Sequence, residues 1–153
     1  MSILITALDH KDRARWEQLF VEYCDFYGFD CSPTKRDTVW QWLFDLHHPL
    51  TAIAARDSDQ QLVGFAHYQT MPLSLFGTET GYLADLYVDK AYRRQGIATQ
   101  LHRAFIEHAS QKGWSFVAWL TQEGNTQARS LYDKTAQMTD LRYYVQQIQS
   151  NLS

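Results

Sequence analysis

The sequence predicts a single α/β domain. Three observations carry that expectation. A short apolar run at 86–88 closes the stretch 78–88, 89–96 is a polar basic turn with one glycine, and 97–111 is a long amphipathic stretch. That order reads as strand, turn, helix. Two further runs, Thr51 to Arg56 and Leu62 to Gln69, flank a polar cluster at 57–61 and read as a strand pair. The N-terminal third carries apolar residues at helical spacing. A chain of 153 residues is one domain by length and long enough to bury a substantial core.

The elements follow in order. Ile3 to Ala7 alternates as a first strand, and Asp9 suits a helix N-cap. The stretch Lys11 to Tyr27 places Trp16, Leu19, Phe20, Tyr23 and Phe26-Tyr27 on one helical face, and Gly28 ends it. After a loop at 28–34, capped by Ser32 or Thr34, a second helix is expected from about Lys35 to His48, stopped by Pro49. Gly64 marks a bulge in its strand. Residues 71–77 break the alternation and read as a loop. Leu101, Ala104-Phe105 and Ala109 form the buried stripe of the helix 97–111. His102 and His108 fall on its polar side, and His67 lies in a strand; all three read as structural. Gly113 ends that helix. Ser115 to Leu120 is a further strand. Ala136 to Gln147 alternates partly around Leu141, Tyr143 and Val145 and reads as one strand or a bent pair. Gln146 to Ser153 is polar and expected to fray.

Composition narrows the function. The net charge is −3 with both signs spread along the chain, so no basic nucleic-acid face is indicated. No apolar run is long enough to cross a membrane. Met1 to Thr6 lacks the pattern of a signal peptide. The expectation is a cytoplasmic chain in which Cys24 and Cys31 are free thiols. They have no companions at metal-ligand spacing, so no metal site is expected.

The turn 89–96 carries the chemistry. The first N–H groups of a helix lack partners within it, and the helix dipole adds positive charge there. Together they make a phosphate site. Gly96 lets a ligand approach the main chain, and Arg93 and Arg94 add charge. The turn has one glycine of the dinucleotide fingerprint and no Gly-Lys-Ser/Thr, so neither that motif nor a P-loop is present. On these residues alone, an ordinary turn with a solvated Arg-Arg pair is the alternative.

Arg93-Arg94-Gln95-Gly96-Ile97-Ala98 fits the Arg/Gln-x-x-Gly-x-Gly/Ala signature of the GNAT acetyltransferase superfamily. Before it, Tyr82-Leu83-Ala84-Asp85-Leu86-Tyr87-Val88 resembles that family's central strand. About thirty residues later, Asn125-Thr126-Gln127-Ala128-Arg129-Ser130-Leu131-Tyr132 resembles its Asn-x-x-Ala-x-x-Leu-Tyr helix. The resemblance covers residues 50–146 well and the N-terminal third loosely. Within the superfamily it is closest to the Hpa-type histone and polyamine acetyltransferases.

The resemblance implies a mixed, mostly antiparallel sheet of six or seven strands with about four helices. It implies acetyl-CoA as co-substrate, no metal, and direct attack by a primary amine. The turn Arg93, Arg94, Gln95, Gly96, Ile97, Ala98 and Thr99 would hold the pyrophosphate. The main chain of Leu86, Tyr87 and Val88 would hold the pantetheine arm. Asn125 would bond that arm, cap its helix, or do both. Tyr132 would protonate the departing thiolate; a core tyrosine is the alternative. Many relatives carry a Glu-Asp pair on the central strand, whereas this chain has Ala84-Asp85. Asp85 is then the candidate base, with Glu79, Tyr82 or a water chain as substitutes. The loop between the first two helices would line the acceptor site, making Tyr23, Asp25, Tyr27, Phe29 and Asp30 candidate contacts for a cationic amine. Solvated aspartates on an ordinary helix pair are the alternative. The acceptor is a small amine or a protein lysine, and a homodimer is compatible with the C-terminal strands. Two other functions stay open: an acyl-CoA sensor that does not catalyse, and transfer of a longer acyl chain.

Overall fold

Short turns at 57–61 and 74–77 fold the second, third and fourth strands back on one another, while the chain between the first and second strands carries two helices. The structure, a computed structural model, describes residues 2–148. They fall into two compact units, divided between Leu120 and Thr121. The first holds a five-stranded sheet in the order β1 (Leu4–Ala7), β2 (Leu50–Arg56), β3 (Leu62–Leu73), β4 (Thr78–Val88) and β5 (Val117–Trp119). β1 to β4 pair antiparallel. β5 is parallel to β4, which requires a crossover, and α3 (Ile97–Gln111) supplies it.

Each face of the sheet buries its own core. On one side α3 lays Ile97, Leu101 and Phe105 against Ile53, Val63, Ala66, Tyr68 and Leu83. On the other, α1 (Arg13–Tyr27) sets Trp16, Leu19 and Phe20 against Ala54, Leu62, Phe65 and Tyr87. α2 (Pro33–Phe44) adds Val39, Trp40 and Leu43 at the rim of that second core. Ser32 caps α2 by accepting from Lys35 N at 3.2 Å. Gly28 closes α1 in the left-handed region (φ 75°), where a side chain would be strained.

Two bulges set which side chains meet which core. Ala55 pairs Gly64 and Arg56 pairs Leu62, which leaves Val63 unmatched beside the glycine expected to mark a bulge. Gly64 is required here, because a Cβ would come within 2.9 Å of the Tyr87 carbonyl oxygen. In β4, Leu83 pairs Tyr68 and Asp85 pairs His67, so Ala84 is the extra residue.

Several expectations need correction. Among the described residues the sheet has five strands, not six or seven. Residues 136–147 take no strand, and they pair with none of the strands among the described residues; their alternation alone does not bring them to a partner edge. Residues 149–153 of the expected frayed end lie outside the described residues. Residues 71–73 are not loop but the end of β3, paired with Thr78, Glu79 and Thr80. α2 stops at Phe44 rather than His48, because Asp45 turns to extended backbone. His102 is buried rather than on a polar side: it adjoins Leu101 and precedes Phe105 by three, so it shares their stripe. The second unit contains α4 (Thr126–Thr135). Among the described residues no helix is long and apolar enough to cross a membrane.

One buried ion pair ties the N-terminal turn to the sheet. Arg56 donates from Nη1 to Asp12 Oδ1 at 2.8 Å and from Nη2 to Oδ2 at 2.6 Å, and both residues are buried. Burial alone would raise the Asp12 pKa; the Arg56 hydrogen bonds outweigh it and hold the carboxyl below its ordinary value. Removing one partner of such a pair costs about 3–5 kcal/mol. Asp12→Asn is therefore expected to lower the urea midpoint sharply at neutral pH. A depressed folded pKa stabilises fully above the unfolded value, about 4, and that stabilisation is lost as pH falls through the folded pKa. The gap between wild type and Asp12→Asn should thus shrink on acidification; a gap independent of pH contradicts the assignment.

Candidate active site

The turn after β4 is fixed from several sides. Asp89 N donates to the Val63 carbonyl at 2.9 Å, and the Asp89 carboxylate accepts from Ala91 N at 2.8 Å and pairs with Arg15. Tyr92 donates its hydroxyl to Asp57 at 2.9 Å. The Arg93 guanidinium lies over the Tyr87 ring at 5.5 Å, and its Nε donates to the Val88 carbonyl at 3.4 Å. The backbone then enters the left-handed region twice, at Arg94 (φ 62°) and Gly96 (φ 74°). Alternating backbone of this kind turns successive N–H groups toward one concavity that suits an anion. Gly96 starts α3 without a side-chain cap, and a Cβ built there would meet no atom within 4 Å. The site is therefore open to a ligand. Arg94, Gln95, Gly96 and Thr99 are exposed, Arg93 and Ala98 are half-buried, and Ile97 is buried as an anchor.

Next to this turn β4 has an open edge. β5 pairs only Gly81, Tyr82 and Leu83. β4 runs on through Leu86, Tyr87 and Val88, which pair with Ala66, Phe65 and Gly64 on the β3 side alone. An unpaired strand edge can accept an extended amide chain as though it were another strand. An open edge for an amide arm beside an anion-binding turn fits acetyl-CoA, whose pantetheine and pyrophosphate have those two chemistries.

Asp85 sits at the opposite face of β4. The bulge at Ala84 reverses the alternation, so Leu83 and Leu86 both face α3 while Asp85 and Tyr87 face α1. Asp85 Oδ1 accepts the Tyr23 hydroxyl at 2.7 Å, and Oδ2 is 2.8 Å from His67 Nδ1. His67 is wholly buried, and its Nε2 lies 3.1 Å from Trp16 Nε1. The Asp85 side chain keeps 24% of its surface exposed. Burial pushes its pKa up, and the His67 and Tyr23 hydrogen bonds more than offset that, holding it below the ordinary carboxylate value. Burial and the adjacent Asp85 charge push the Tyr23 phenol far up. Burial and a hydrogen bond to Glu22 push the Tyr87 phenol up to about 12.

Of the expected acceptor contacts, the structure brings Tyr23 to Asp85 and Tyr27 to Tyr23, with ring centroids 5.1 Å apart. Asp25, Phe29 and Asp30 are exposed. Glu79 is exposed and Tyr82 half-buried. The sequence reading did not connect His67 or Trp16 with Asp85. The one signal was a buried-type strand carrying a histidine, and pairing it with Asp85 needs the register across the bulge. Cys24 and Cys31 are free thiols, and burial and hydrogen bonding with Cys31 push Cys24 up to about 12. In the second unit Asn125 caps α4, its Oδ1 accepting from Ala128 N at 3.3 Å. Tyr132 stands half-buried two turns along that helix.

Comparison with known proteins places this geometry. The acetyltransferase (GNAT) family profile matches residues 16–136. The D-amino-acid N-acetyltransferase HPA3 of Saccharomyces cerevisiae is 31% identical over 143 residues, covering 93% of this chain and 89% of that protein. The ribosomal-protein-alanine N-acetyltransferase structure from Brucella melitensis biovar Abortus 2308 superposes with a TM-score of 0.81 at 24% identity, over 96% of this chain and 100% of that one. An aminoglycoside acetyltransferase, AAC(6')-Iy with a CoA-containing bisubstrate analog, gives a TM-score of 0.81 at 17% identity over 96% and 99%. These last two likenesses concern the fold.

The two hydrogen bonds to Asp85 can be tested singly. Tyr23→Phe removes the donor to Oδ1, so the Asp85 carboxyl should titrate at higher pH than in the wild type, read from its 13Cγ signal. An unmoved midpoint contradicts the hydrogen bond.

Proposed function

Because this chain belongs to the acetyltransferase (GNAT) family, we propose that it transfers acetyl from acetyl-CoA directly to the primary amine of a small molecule that carries an ammonium group. The observation that carries the reading is the open β4 edge beside the Arg94–Gly96 turn, with Asp85 on the other face of the same strand. Acetyl-CoA supplies the activated acetyl thioester. The first-turn N–H groups of α3, with Arg93 and Arg94, hold its pyrophosphate. The main chain from Leu86 to Val88 holds its amide arm and offers an N–H to the carbonyl.

Asp85 receives the amine. Its carboxylate is charged, partly exposed and bonded by Tyr23, whose ring packs on Tyr27, which suits an ammonium group. A carboxylate held below its ordinary pKa is a weak match for proton abstraction near neutral pH. Asp85 therefore acts mainly as the charge that binds and orients the amine, and the amine's proton leaves through water. Tyr132 donates the proton to the departing thiolate; a phenol near pKa 10 is close enough to a thiol for that exchange. The yeast relative's activity on D-amino acids makes a free amino acid the first acceptor to try.

The test is release of CoA thiol from acetyl-CoA with D-alanine or spermidine as acceptor. Release above the amine-free rate with either is expected, and none with both overturns the reading. Asp85→Asn should raise the amine KM about tenfold or more, the worth of a hydrogen bond to a charged group. A shifted pH–rate profile at unchanged KM would instead make Asp85 the base. Tyr132→Phe should cut turnover about a hundredfold while acetyl-CoA still binds; unchanged turnover removes its role.

A further inference from the structure

The strongest unassigned feature is the buried chain of ring groups behind Asp85. Trp16 and His67 are both wholly buried, and neither reaches the open part of the site. The Trp16 indole N–H can only donate. Its approach to His67 Nε2 at 3.1 Å therefore makes that nitrogen the acceptor and puts the imidazole proton on Nδ1. Nδ1–H then points at Asp85 Oδ2 at 2.8 Å. Every donor in the series runs one way: Trp16 to His67, His67 to Asp85, with Tyr23 donating to the other carboxylate oxygen.

Aromatic rings pack around the imidazole. The Phe65 ring stacks on it with centroids 4.5 Å apart and planes 16° apart. Phe20 and Trp16 close in at 6.0 Å and 6.1 Å. Trp16 is itself held by stacking on Phe20 at 4.8 Å. The other tautomer would set an Nε2–H against the indole N–H and leave Asp85 Oδ2 without its donor, and a flipped ring would offer only C–H groups to both partners, each costly in a buried place. The bulge at Ala84 supplies the last requirement, because it brings Asp85 opposite His67 on the α1 face.

We propose that Trp16 and His67 are positioning residues for amine recognition: Trp16 fixes the His67 tautomer, and His67 fixes the Asp85 carboxylate so that its remaining lone pairs face a cationic amine. This deepens the proposed function and rests on it for the identity of the ligand. The geometry predicts a division of labour. Disturbing His67 alters handling of the amine and leaves acetyl-CoA, bound at the turn on α3, unaffected. A side chain that presents an N–H where Nδ1 sits restores function, and one that only fills space does not.

Two measurements on the full chain decide it. The first is long-range 1H–15N NMR of 15N-histidine protein, which needs neither substrate nor variant. Wild type is expected to show His67 protonated on Nδ1 with Nε2 bare. Trp16→Phe, which keeps the stack on Phe20, is expected to shift the Nε2 resonance. A wild-type proton on Nε2, or an unmoved resonance in Trp16→Phe, overturns the proposal. The second is thiol release with acetyl-CoA and D-alanine. His67→Phe should raise the D-alanine KM about tenfold or more and leave the acetyl-CoA KM within about twofold. His67→Asn, whose amide nitrogen can stand where Nδ1 does, should recover most of the loss. Equal defects in Phe and Asn variants that melt like wild type overturn it. If wild type turns over no D-alanine, that acceptor fails rather than the positioning claim. The Asp85 13Cγ signal then decides: it should move in His67→Phe and return in His67→Asn, and equal shifts in both overturn the claim.

Discussion

The pairing of β3 with β4 governs this molecule, and a single extra residue governs that pairing. Side chains alternate along a strand, so Leu83 and Asp85 would share a face if β4 were regular. Ala84 is left without a partner, and the alternation reverses. Leu83, Leu86 and Val88 can then all face α3, while Asp85 and Tyr87 turn toward α1. One insertion thus fills the α3 core and delivers a carboxylate to the opposite side, beside Tyr23 and His67. The same strand leaves its edge unpaired by β5 over Leu86–Val88 and runs directly into the turn before α3. Placement of the site is a consequence of backbone register.

The two ends of the site use opposite electrostatics on opposite supports. At the turn, positive character comes from N–H groups at the α3 terminus and from Arg93 and Arg94, and the backbone itself is shaped at Arg94 and Gly96. That turn is braced by Asp57, Asp89 and Arg15, so little ordering remains to be done when an anion binds. At Asp85 the charge is negative and is braced by donors from two elements, Tyr23 on α1 and His67 on β3. A ligand pair carrying phosphates at one end and an ammonium at the other matches this polarity.

Much of this was legible in the sequence, and what was not has a common cause. The strand 78–88 and the helix 97–111 have the bounds expected from the sequence, the helix because its period of 3.6 is a local signal and the strand because an apolar run and the family motif mark it despite the bulge that breaks its alternation. The caps at Asp9 and Ser32 and the left-handed Gly28 were also local signals. The misses were non-local. Whether residues 136–147 form a strand depends on a partner edge, which their alternation does not report. The end of β3 at Leu73 depends on pairing with Thr78, across residues that look like a loop. His102 looked polar by type, yet its position beside Leu101 buries it against Trp119, ring centroids 4.8 Å apart, and burial lowers its pKa. The link from Trp16 through His67 to Asp85 spans three elements and needs the bulge at Ala84. The family resemblance pointed to the Arg93–Thr99 turn, to Asp85 and to Tyr23 and Tyr27, whereas the hydrogen bonds that join Tyr23, His67 and Trp16 to Asp85 emerged only in three dimensions.

Acetyl-CoA binding at the turn before α3 underlies the proposed reaction, and a thermal melt with and without acetyl-CoA tests it most directly. A ligand at about a hundred times its dissociation constant adds roughly 2.7 kcal/mol to a native state it binds exclusively. For a chain of this size the midpoint should rise by about 5–10 °C. Gly96→Glu, which places a carboxylate at the open anion site, should melt as a folded protein and lose the rise. No rise in wild type at millimolar acetyl-CoA, or the same rise in folded Gly96→Glu, contradicts the account.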